Sequence, residues 1–365
     1  MKKILILANN DVGLYKFRKE LIQELLKKYE VYISLPNGEF IPELIKMGCH
    51  FIDTPVDRRG MNPFTDLSLL KRYFSMIKRL KPHLVVTYTI KPNVYGGFTS
   101  RVLHIDYAMN VTGLGTAFQS ENLTKKLACF LYKIACKKAK IVFFENKGNK
   151  EVFIKNHLIN EEQPYVLHGA GVNLDEYPMT PYPKDQKLIR FLFIGRVMKE
   201  KGIDELLEAA TKIKKEYPNV EFDIVGPMED NYKSILETMV HQHTIHYYGL
   251  QTDVKPFIKQ CHCFVLPSYH EGMANTLLES ASMGRPLITS NIHGCMEAIH
   301  ENGYLCKVQD SQDLYYQLKK FIELDYQSKI KMGLESRKHM ENVFDKNKIV
   351  SQTIKHLPID KEVNK

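Results

Sequence analysis

The sequence predicts an α/β protein made of two doubly wound domains, each a parallel sheet with helices on both faces. Three observations predict this fold. The chain has 365 residues, enough for about two domains of ordinary size. Short apolar runs of strand length alternate with longer stretches of helical period, which is typical of parallel sheets with crossover helices. The alternation breaks once, at a cluster of prolines, and then restarts.

The first half of the chain predicts a series of strands, each followed by a helix. The strands are expected at 3–8, 31–35, 84–89, 106–111, 141–145 and 165–168. The helices are expected near 15–28, 66–80, 94–103, 121–138 and 148–157. Ligands of such sheets bind beyond the carboxyl ends of the strands, so functional residues are expected in the turns that follow strands.

A proline cluster, Pro178, Pro181 and Pro183, separates the two halves. Because proline continues neither a helix interior nor a central strand, the linker is placed at 176–188. The domains are therefore predicted at 1–175 and 189–342. In the second domain, strands are expected at 189–194, 220–225, 245–248, 262–266 and 286–289, and helices at 203–216, 253–260, 275–283 and from 311 to 340.

The charge is unevenly distributed along the chain. The formal net charge is +9, and residues 1–180 hold 26 Lys and Arg against 17 Asp and Glu, whereas residues 181–365 hold 25 of each. This asymmetry predicts that the first half faces an anionic partner, such as a membrane, a phosphorylated substrate or nucleic acid. The sequence has no recognition helix, aromatic RNA-binding motif or basic tail, so nucleic acid is not expected.

The cysteines and the N-terminal residues predict a cytoplasmic protein. The seven cysteines are odd in number and irregularly spaced, which favours reduced thiols. The apolar run from Ile4 to Ala8 is too short for a signal peptide and is interpreted as a buried strand. Cys261, His262 and Cys263 do not have zinc-site spacing, and no metal site is expected.

The turn after the strand at 189–194 contains Gly195, Arg196 and Lys201. An arginine fork, a lysine and the start of a helix suit a diphosphate. A solvated loop between strand and helix is the alternative. The turn is not a nucleoside triphosphatase phosphate loop, because no Gly-Lys-Ser/Thr closes it.

The turn after the strand at 262–266 carries two carboxylates. Glu271 is expected to project from a loop that contains Gly272, and Glu279 to lie about one turn into a helix capped by Asn275. Such carboxylates accept hydrogen bonds from sugar hydroxyls, and the glycine lets backbone N–H groups approach a ligand. A general acid and base, or a plain surface pair, remain alternatives at this point.

These residues resemble a known family. Glu271-x7-Glu279 within Pro-Ser-x-x-Glu-Gly-Met-x-x-x-Leu-Leu-Glu, with Gly195-Arg196 and Lys201-Gly202 before it, is similar to the nucleotide-sugar half of the family 4 retaining glycosyltransferases, which have the GT-B fold. Three further motifs resemble a bacterial branch that builds capsule, O-antigen and protein-linked glycans on undecaprenyl diphosphate. They are Asn62-Pro63-Phe64-x-Asp66-Leu67, Lys91-Pro92-Asn93-x-Tyr95-Gly96 and Thr112-Gly113-Leu114-Gly115-x-x-Phe118.

The resemblance implies a role for each matching residue on the donor side. Arg196 and Lys201 would hold the donor diphosphate and stabilise its developing charge. Glu279 would bind the ribose. Glu271 would bind the hydroxyls of the sugar and is expected to be catalytic together with Arg196 and Lys201. The remaining nucleotide-sugar contacts would come from Gly13, Gly195, Gly272, Met273, Ala274 and Asn275. No metal or other cofactor is expected. The resemblance also implies two domains facing across a cleft and a C-terminal segment, 343–365, whose helix returns to the first domain.

One departure concerns the acceptor side. Many family members carry a histidine where this chain has Thr112, so no catalytic histidine is carried over. Thr112 and Asn110 are expected to orient the acceptor. Lys91 is either an acceptor-diphosphate contact or a solvated lysine at a strand end.

Two basic segments, 66–81 and 124–140, read as amphipathic helices. Either their apolar stripe faces the domain core while the lysines are solvated, or they bind an anionic leaflet. An acceptor held in the bilayer by a polyprenyl tail favours the second interpretation, with peripheral attachment through the first domain.

The function predicted from these features is retaining transfer of a sugar, expected to be an N-acetylhexosamine, from a UDP-sugar to an undecaprenyl-diphosphate-linked saccharide. The reaction is expected at the cytoplasmic face of a bacterial membrane. The alternatives are a UDP-N-acetylglucosamine epimerase on the same scaffold and a sugar-binding protein without catalysis. A nicotinamide dehydrogenase is less favoured, because the first turn, Asn9 to Gly13, lacks Gly-x-Gly-x-x-Gly.

Overall fold

The computed structural model describes residues 1–57, 60, 62–115, 118, 123–185, 187–229 and 232–359. It divides into two compact units. The first unit comprises Met1–Ala170 together with the C-terminal segment from Asn347, and the second comprises Gly171–Lys346. Each unit is a parallel sheet with helices, as the sequence predicts.

The first unit is built on a seven-stranded parallel sheet. Its strands are β1 (Lys3–Leu7), β2 (Glu30–Leu35), β3 (His50–Asp53), β4 (Leu84–Tyr88), β5 (Tyr107–Val111), β6 (Ile141–Phe144) and β7 (Pro164–Val166), and they lie in the order β3-β2-β1-β4-β5-β6-β7. The strands β4 and β5 are buried at every position, because helices cover both faces.

Helices of the first unit follow the strands along the chain. They are α1 (Asp11–Leu26), α2 (Ile41–Lys46), α3 (Pro63–Leu80), α4 (Gly97–Val102), α5 (Leu123–Cys136) and α6 (Lys147–Lys155), and a π-helical turn, Pro92–Gly96, precedes α4. Asparagine side chains accept a backbone N–H at the start of α1, α3 and α6. Such caps satisfy donors that a helix start leaves unbonded.

The second unit is built on a six-stranded parallel sheet. Its strands are β8 (Ile189–Ile194), β9 (Val220–Val225), β10 (His246–Tyr247), β11 (Cys263–Leu266), β12 (Leu287–Ser290) and β13 (Gly303–Cys306), in the order β10-β9-β8-β11-β12-β13. Its helices are α7 (Ile203–Glu216), α8 (Lys233–His241), α9 (Lys255–Gln260), α10 (Asn275–Ser282), α11 (Ser311–Ile322) and α12 (Tyr326–His339).

The last helix, α13 (Lys346–His356), follows a π-helical turn at Met340–Phe344. Its side chains pack within the first unit: the rings of His356 and Tyr165 lie 3.9 Å apart. Just beyond the helix, Lys2 Nζ donates to the carbonyl of Ile359 over 3.0 Å.

Alternate residues of each strand enter different cores. In β1, Ile4 and Ile6 belong to one buried cluster, while Leu5 and Leu7 belong to another on the opposite face of the sheet. This is the period of two that a strand imposes on its side chains. Burial on both faces is why the strand reads as one apolar run in the sequence.

Several elements lie outside the sequence prediction. The edge strand β3, the helices α2 and α8, and the edge strand β13 were not expected. Both strands lie at the edge of their sheet, and half-exposed side chains weaken the apolar signal there. The helices predicted from 311 to 340 are α11 and α12, and they are separated where Asp325 accepts the N–H of Ser328 and starts the second helix.

The expected linker, 176–188, lies within the second unit. The guanidinium of Arg285, which is fully buried, donates to Thr180 Oγ1 over 2.6 Å and to the carbonyl of Pro181 over 3.1 Å. Tyr326 donates to the carbonyl of Pro183 over 3.1 Å. The proline-rich segment is therefore held by side-chain donors, and the change from one unit to the other lies earlier, between Ala170 and Gly171.

Both sheets have a point at which the strand order reverses. In the first unit it lies between β1 and β4, and in the second between β8 and β11. The crevice beyond the carboxyl ends of these strands is where doubly wound sheets bind ligands. The switch point of each unit is therefore where its functional residues are sought.

Candidate active site

The switch point of the second unit is formed by the turns after β8 and β11, and these turns are packed closely together. Gly202 has a φ of +70°, and a Cβ on it would lie 2.0 Å from the carbonyl oxygen of Pro267. Only glycine meets both conditions. The close approach brings the two motifs singled out in the sequence to one place.

Lys201 and Glu271 form an ion pair across these two turns. Ser268 also donates its hydroxyl to Glu271 Oε1 over 2.8 Å. The side chains of Lys201 and Glu271 are 20% and 12% exposed, so the pair lies at the edge of solvent. Two predicted site residues that are 70 positions apart in the sequence thus meet, and an incoming diphosphate would compete with Glu271 for the ammonium group.

Arg196 is more open than Lys201. Its side chain is 44% exposed, and its Nη1 donates to both carboxylate oxygens of Glu229 over 3.2 Å. An exposed pair of this kind contributes little to stability, so the guanidinium can exchange the carboxylate for a phosphate at small cost. Sequence reasoning missed Glu229, which follows the next strand of the sheet, β9.

Glu279 lies within α10 and interacts with the hydroxyl of Tyr177. Burial raises the pKa of the Tyr177 hydroxyl, and the neighbouring carboxylates, first of all Glu279, raise it further. The two predicted carboxylates therefore have different partners, a cation for Glu271 and a neutral phenol for Glu279. The contact expected between Glu279 and the ribose stays a prediction.

The sequence predicted that Asn275 caps α10, and this prediction is wrong. Ala274 occupies the cap position and Asn275 is the first helical residue. The backbone N–H of Ala274 donates to the carbonyl of Gly294 over 2.9 Å. This bond holds Ala274 in the cap position, one residue before the predicted cap. In the described part of the chain, the buried Oδ1 of Asn275 has no hydrogen-bond partner.

A loop that the sequence did not single out supports the turn at Gly272. Gly294 has a φ of +90°, and a Cβ on it would lie 2.6 Å from the carbonyl oxygen of Gly272. Met273 and Ala274 are buried at 6% and 4% exposure, so only their backbone is available to a ligand. The contact of Gly294 with Gly272 could not be predicted, because a single glycine in one sequence does not indicate which residue its backbone approaches.

His270 and Cys295 lie close to the Lys201–Glu271 pair. Burial lowers the pKa of His270, against the opposing influence of Glu271. Burial also raises the pKa of the Cys295 thiol, and Glu271 adds to that rise. Both groups are therefore uncharged at neutral pH, so the charges at this switch point are those of the lysine, the arginine and the carboxylates.

In the first unit, Asn10 ends the turn after β1 and Gly13 lies in the first turn of α1. The N–H of Gly13 donates to Asn10 Oδ1 over 2.5 Å, and this contact caps α1. A Cβ on Gly13 would lie 2.9 Å from the same oxygen. The glycine thus makes room for the cap, and its predicted approach to donor phosphates stays a prediction.

Lys91 follows β4 and is largely buried, at 14% exposure. Its Nζ lies 2.6 Å from Asp66 Oδ1, and the hydroxyl of Tyr95 donates to Asp66 Oδ2 over 2.9 Å. Lys91 is therefore not a solvated lysine. The contact joins two motifs of the first half, because Asp66 lies in the first turn of α3 and Tyr95 in the π-helical turn.

Asn110 lies at the end of β5 and is 3% exposed. Its amide donates to the carbonyl of Thr87 over 3.2 Å, and Asn93 donates to the carbonyl of Asn110 over 2.8 Å. These bonds hold β4, β5 and the π-helical turn together. Thr112 lies just beyond β5 and is partly exposed. The acceptor roles expected of Asn110 and Thr112 stay predictions.

A buried ion pair that sequence reasoning missed lies close to this region. Arg18 in α1 is 8% exposed, and its Nη2 lies 2.5 Å from Glu145 Oε1. Its guanidinium also lies 5.0 Å from the centre of the Tyr88 ring. The signal in the sequence was an arginine on the buried face of a helix, where an unpaired charge is not tolerated.

In the part of the chain that the structure describes, no group of three or more His, Cys, Asp and Glu side chains is placed to hold a metal ion. Within the same residues, no helix combines the length and the apolar character needed to cross a membrane. All seven cysteines are free thiols.

Two family models match the chain, one in each unit. The model described as glycosyl transferases group 1 matches residues 179–342. The model described as glycosyl transferase 4-like matches residues 3–146.

Curated relatives match most of the chain. The N,N'-diacetylbacillosaminyl-diphospho-undecaprenol alpha-1,3-N-acetylgalactosaminyltransferase of Campylobacter jejuni is 27% identical, over 97% of this chain and 97% of its own length. The UDP-Gal:alpha-D-GlcNAc-diphosphoundecaprenol alpha-1,3-galactosyltransferase of Escherichia coli is 28% identical, over 84% of this chain and 83% of its own length.

Solved structures show the same fold. Anabaena HepE in complex with UDP and glucose has a TM-score of 0.79 at 18% identity, over 98% of this chain and 99% of that one. A glycosyltransferase from Rickettsia africae has a TM-score of 0.81 at 20% identity, over 99% of both chains.

Proposed function

The chain belongs to the glycosyltransferases that these models describe, and on this premise we propose that it transfers a sugar from a UDP-sugar to a saccharide linked to undecaprenyl diphosphate. The sugar is an N-acetylhexosamine, and its anomeric configuration is retained. The observation that carries the proposal is the Lys201–Glu271 pair with Arg196 beside it at the switch point of the second unit. The names of the Campylobacter and E. coli relatives support the acceptor class.

The donor site operates by exchange of partners. When the diphosphate binds, Lys201 and Arg196 leave Glu271 and Glu229 for phosphoryl oxygens. Glu271 then accepts hydrogen bonds from the sugar hydroxyls, and Glu279 from the ribose. Positive groups placed where charge develops on the leaving diphosphate are worth roughly 3–4 kcal/mol each in the transition state.

The chemical step needs no strong base in the protein. The bond between the anomeric carbon and the β-phosphate oxygen breaks while the acceptor hydroxyl attacks from the same face. The acceptor's proton passes to the leaving phosphate oxygen. Positioning and electrostatics supply the catalysis, which fits a chain with Thr112 in place of the family's histidine.

We also propose that the diphosphate is neutralised by Arg196 and Lys201 rather than by a bound metal ion. The reason is that two cations already lie at the turn that receives it. Turnover is therefore expected to persist after treatment with EDTA. Loss of activity that Mg²⁺ restores would contradict this assignment.

The first unit carries a surface suited to an anionic membrane. The inner face of α3 is buried, but a second stripe points outward and includes Phe64 at 83% exposure. The outer face of α5 includes Leu123 at 82% and Phe130 at 60%. The exposed residues of the two stripes are Phe64, Leu67, Lys71, Phe74 and Lys78 in α3, and Leu123, Lys126, Leu127, Phe130 and Lys133 in α5, with Lys137 just beyond it.

In both helices the exposed apolar residues lie mainly in the N-terminal half, and exposed lysines lie between and beyond them. The N-terminal ends follow strands, so they lie at the carboxyl edge of the sheet, as the contact of Asp66 with Lys91 shows for α3. We propose that these stripes attach the enzyme to the cytoplasmic face of a bacterial membrane, where each lysine contributes about 1 kcal/mol.

Liposome flotation of the full chain tests the attachment. Binding to anionic vesicles is expected to fall with rising salt and to fall further in Phe64→Ser/Phe130→Ser. A matched control is Tyr316→Ser, an exposed aromatic of the second unit, 57% exposed, which is expected to bind like the wild type. Equal binding by all three proteins would contradict the assignment.

The transferase activity is tested with a panel of UDP-sugars and a polyprenyl-diphosphate-linked saccharide, with mass spectrometry of the lipid product. Growth of the lipid-linked glycan by one sugar, with release of UDP, is expected. Absence of both across the panel would contradict the proposal. NMR of UDP-N-acetylglucosamine alone separates the epimerase alternative, which needs no acceptor; the relatives named above are transferases.

A further inference from the structure

Thr89, at the carboxyl end of β4, has an unusual backbone. Its φ is +72°, in the left-handed region. A β-branched residue is strained there, because its Cβ substituents crowd the backbone. Such strain persists only where the surrounding structure requires it, and it is concentrated at functional sites.

The hydroxyl of Thr89 is also unusual. Its Oγ1 is buried and has no hydrogen-bond partner among the described residues. The carbonyl of Thr89 accepts the N–H of Asn93 over 2.9 Å, so Thr89 stands at the start of the helical segment. A threonine in this position normally caps the helix through the N–H three residues on. Here that residue is Pro92, which has no N–H.

Thr89 lies at the switch point of the first unit. The register pairs Leu7 of β1 with Thr87, and Tyr88 with Asn110 of β5. Continued along the chain, it sets Thr89 between the turn after β1 and the end of β5. The loop after β5 closes the far side, since a Cβ on Gly115 would lie 2.7 Å from Ile90 Cδ1.

The groups around Thr89 suit an anion. The ammonium of Lys91 lies two residues on, and the segment begins with N–H groups that no earlier turn of the helix can bond. A π-helical turn follows at Pro92–Gly96, a feature common at functional sites. Asp66 neutralises Lys91. An anionic ligand bound here therefore needs hydrogen-bond donors from the protein in addition to the ammonium group.

We propose that Thr89 donates its hydroxyl to a phosphoryl oxygen of the acceptor's diphosphate. This inference rests on the proposed function and assigns a residue to its acceptor site. Thr89 is partly exposed although Oγ1 is buried. Contact with a ligand requires a rotation about Cα–Cβ that turns the hydroxyl outward, and this rotation breaks no hydrogen bond among the described residues.

The test compares Thr89→Val, which keeps the shape and removes the hydroxyl, with Thr89→Ser, which keeps the hydroxyl. Thr89→Val is expected to raise the KM for the lipid-linked acceptor about tenfold, since a hydrogen bond to a charged group is worth that factor or more. The KM for the UDP-sugar and the melting temperature are expected to stay unchanged, and Thr89→Ser to restore the acceptor KM.

A matched control is Thr99→Val in α4. The hydroxyl of Thr99 donates to the carbonyl of Tyr95 over 2.7 Å and is buried. This variant is expected to lower the melting temperature and to leave the acceptor KM unchanged. A structural role of Thr89 would instead make its valine variant behave like that of Thr99.

An unchanged acceptor KM in Thr89→Val would overturn the proposal, and a rise confined to the donor KM would assign the hydroxyl to the donor phosphates instead. Calorimetry with farnesyl diphosphate separates this inference from the proposed function, because it needs no turnover. Binding about tenfold weaker in Thr89→Val than in the wild type is expected. Equal binding would overturn the proposal even if the transferase assay succeeds.

Discussion

The two switch points have the same topology but different chemistry. In the second unit, the turns after the reversing strands place charged side chains opposite one another, Lys201 with Glu271 and Arg196 with Glu229. In the first unit, the corresponding turns carry mainly amides and hydroxyls, and Lys91 after β4 is neutralised by Asp66. Parallel sheets thus supply the place for a ligand, while the turn residues decide which ligand it suits.

The comparison predicts that charge removal in the second unit has the largest effect on catalysis. Lys201→Ala is expected to lower kcat by about 10²–10³, because it removes a cation that stabilises the leaving diphosphate. Steady-state kinetics measure the effect, with circular dichroism to confirm the fold. Lys199→Ala, an exposed lysine in the same turn, is the control and is expected to be nearly normal. Equal rates in both variants would remove the role of Lys201.

The close approach of the two turns in the second unit gives the next largest effect. Gly202→Ala is expected to lower the free energy of unfolding by about 3 kcal/mol or more, from backbone strain and from the clash with Pro267. Gly249→Ala is the matched control, since its φ is +63° and no atom lies within 4 Å of the added Cβ. It is expected to cost only the strain, about 1–2 kcal/mol. Equal losses in urea unfolding would show that the turns do not constrain Gly202.

The first unit is expected to affect the acceptor alone. Lys91→Ala removes a cation beside the acceptor site and is expected to raise the acceptor KM about tenfold, with the donor KM unchanged. Asp66→Asn keeps the lysine and removes its neutralising partner, so its acceptor KM is expected to fall. A change of the donor KM in both variants would break the division of roles between the two units.

The smallest effect is expected at the exposed pair of the second unit. Glu229→Gln frees Arg196 from a surface ion pair worth about 0–1 kcal/mol. The donor KM is therefore expected to fall by about two- to threefold, with little change in stability. A higher donor KM would mean that Glu229 positions the guanidinium instead of competing for it.

Much of the fold was predictable because the central strands are buried on both faces. β6 and β11 consist of unbroken apolar runs, and their positions follow from that. The edge strands β3 and β13 were missed, since half-exposed strands lack such a run. The end of the first unit was misplaced because the prolines near 181 mark a segment that Arg285 holds within the second unit.

The site was predictable as a set of turns but not as a set of contacts. Glycine, basic and acidic residues directly after strands located the turns at Gly195 and Glu271. Their pairing was not visible, since Lys201 and Glu271 are separated by 70 residues. Three partners were missed for the same reason: Glu229, Gly294 and Glu145. Each contacts a residue that is far from it in the sequence.

The sequence by itself determined the two parallel-sheet units, the family resemblance and the turns in which function lies. Hydrophobic periodicity and short motifs involve residues that are close together in the sequence, so they can be recognised in a single sequence. The tertiary structure decided which charges are neutralised and which glycines have no substitute, and it left the buried hydroxyl of Thr89 without a hydrogen-bond partner among the described residues. These depend on distances between residues far apart in the chain, which only the packed fold sets.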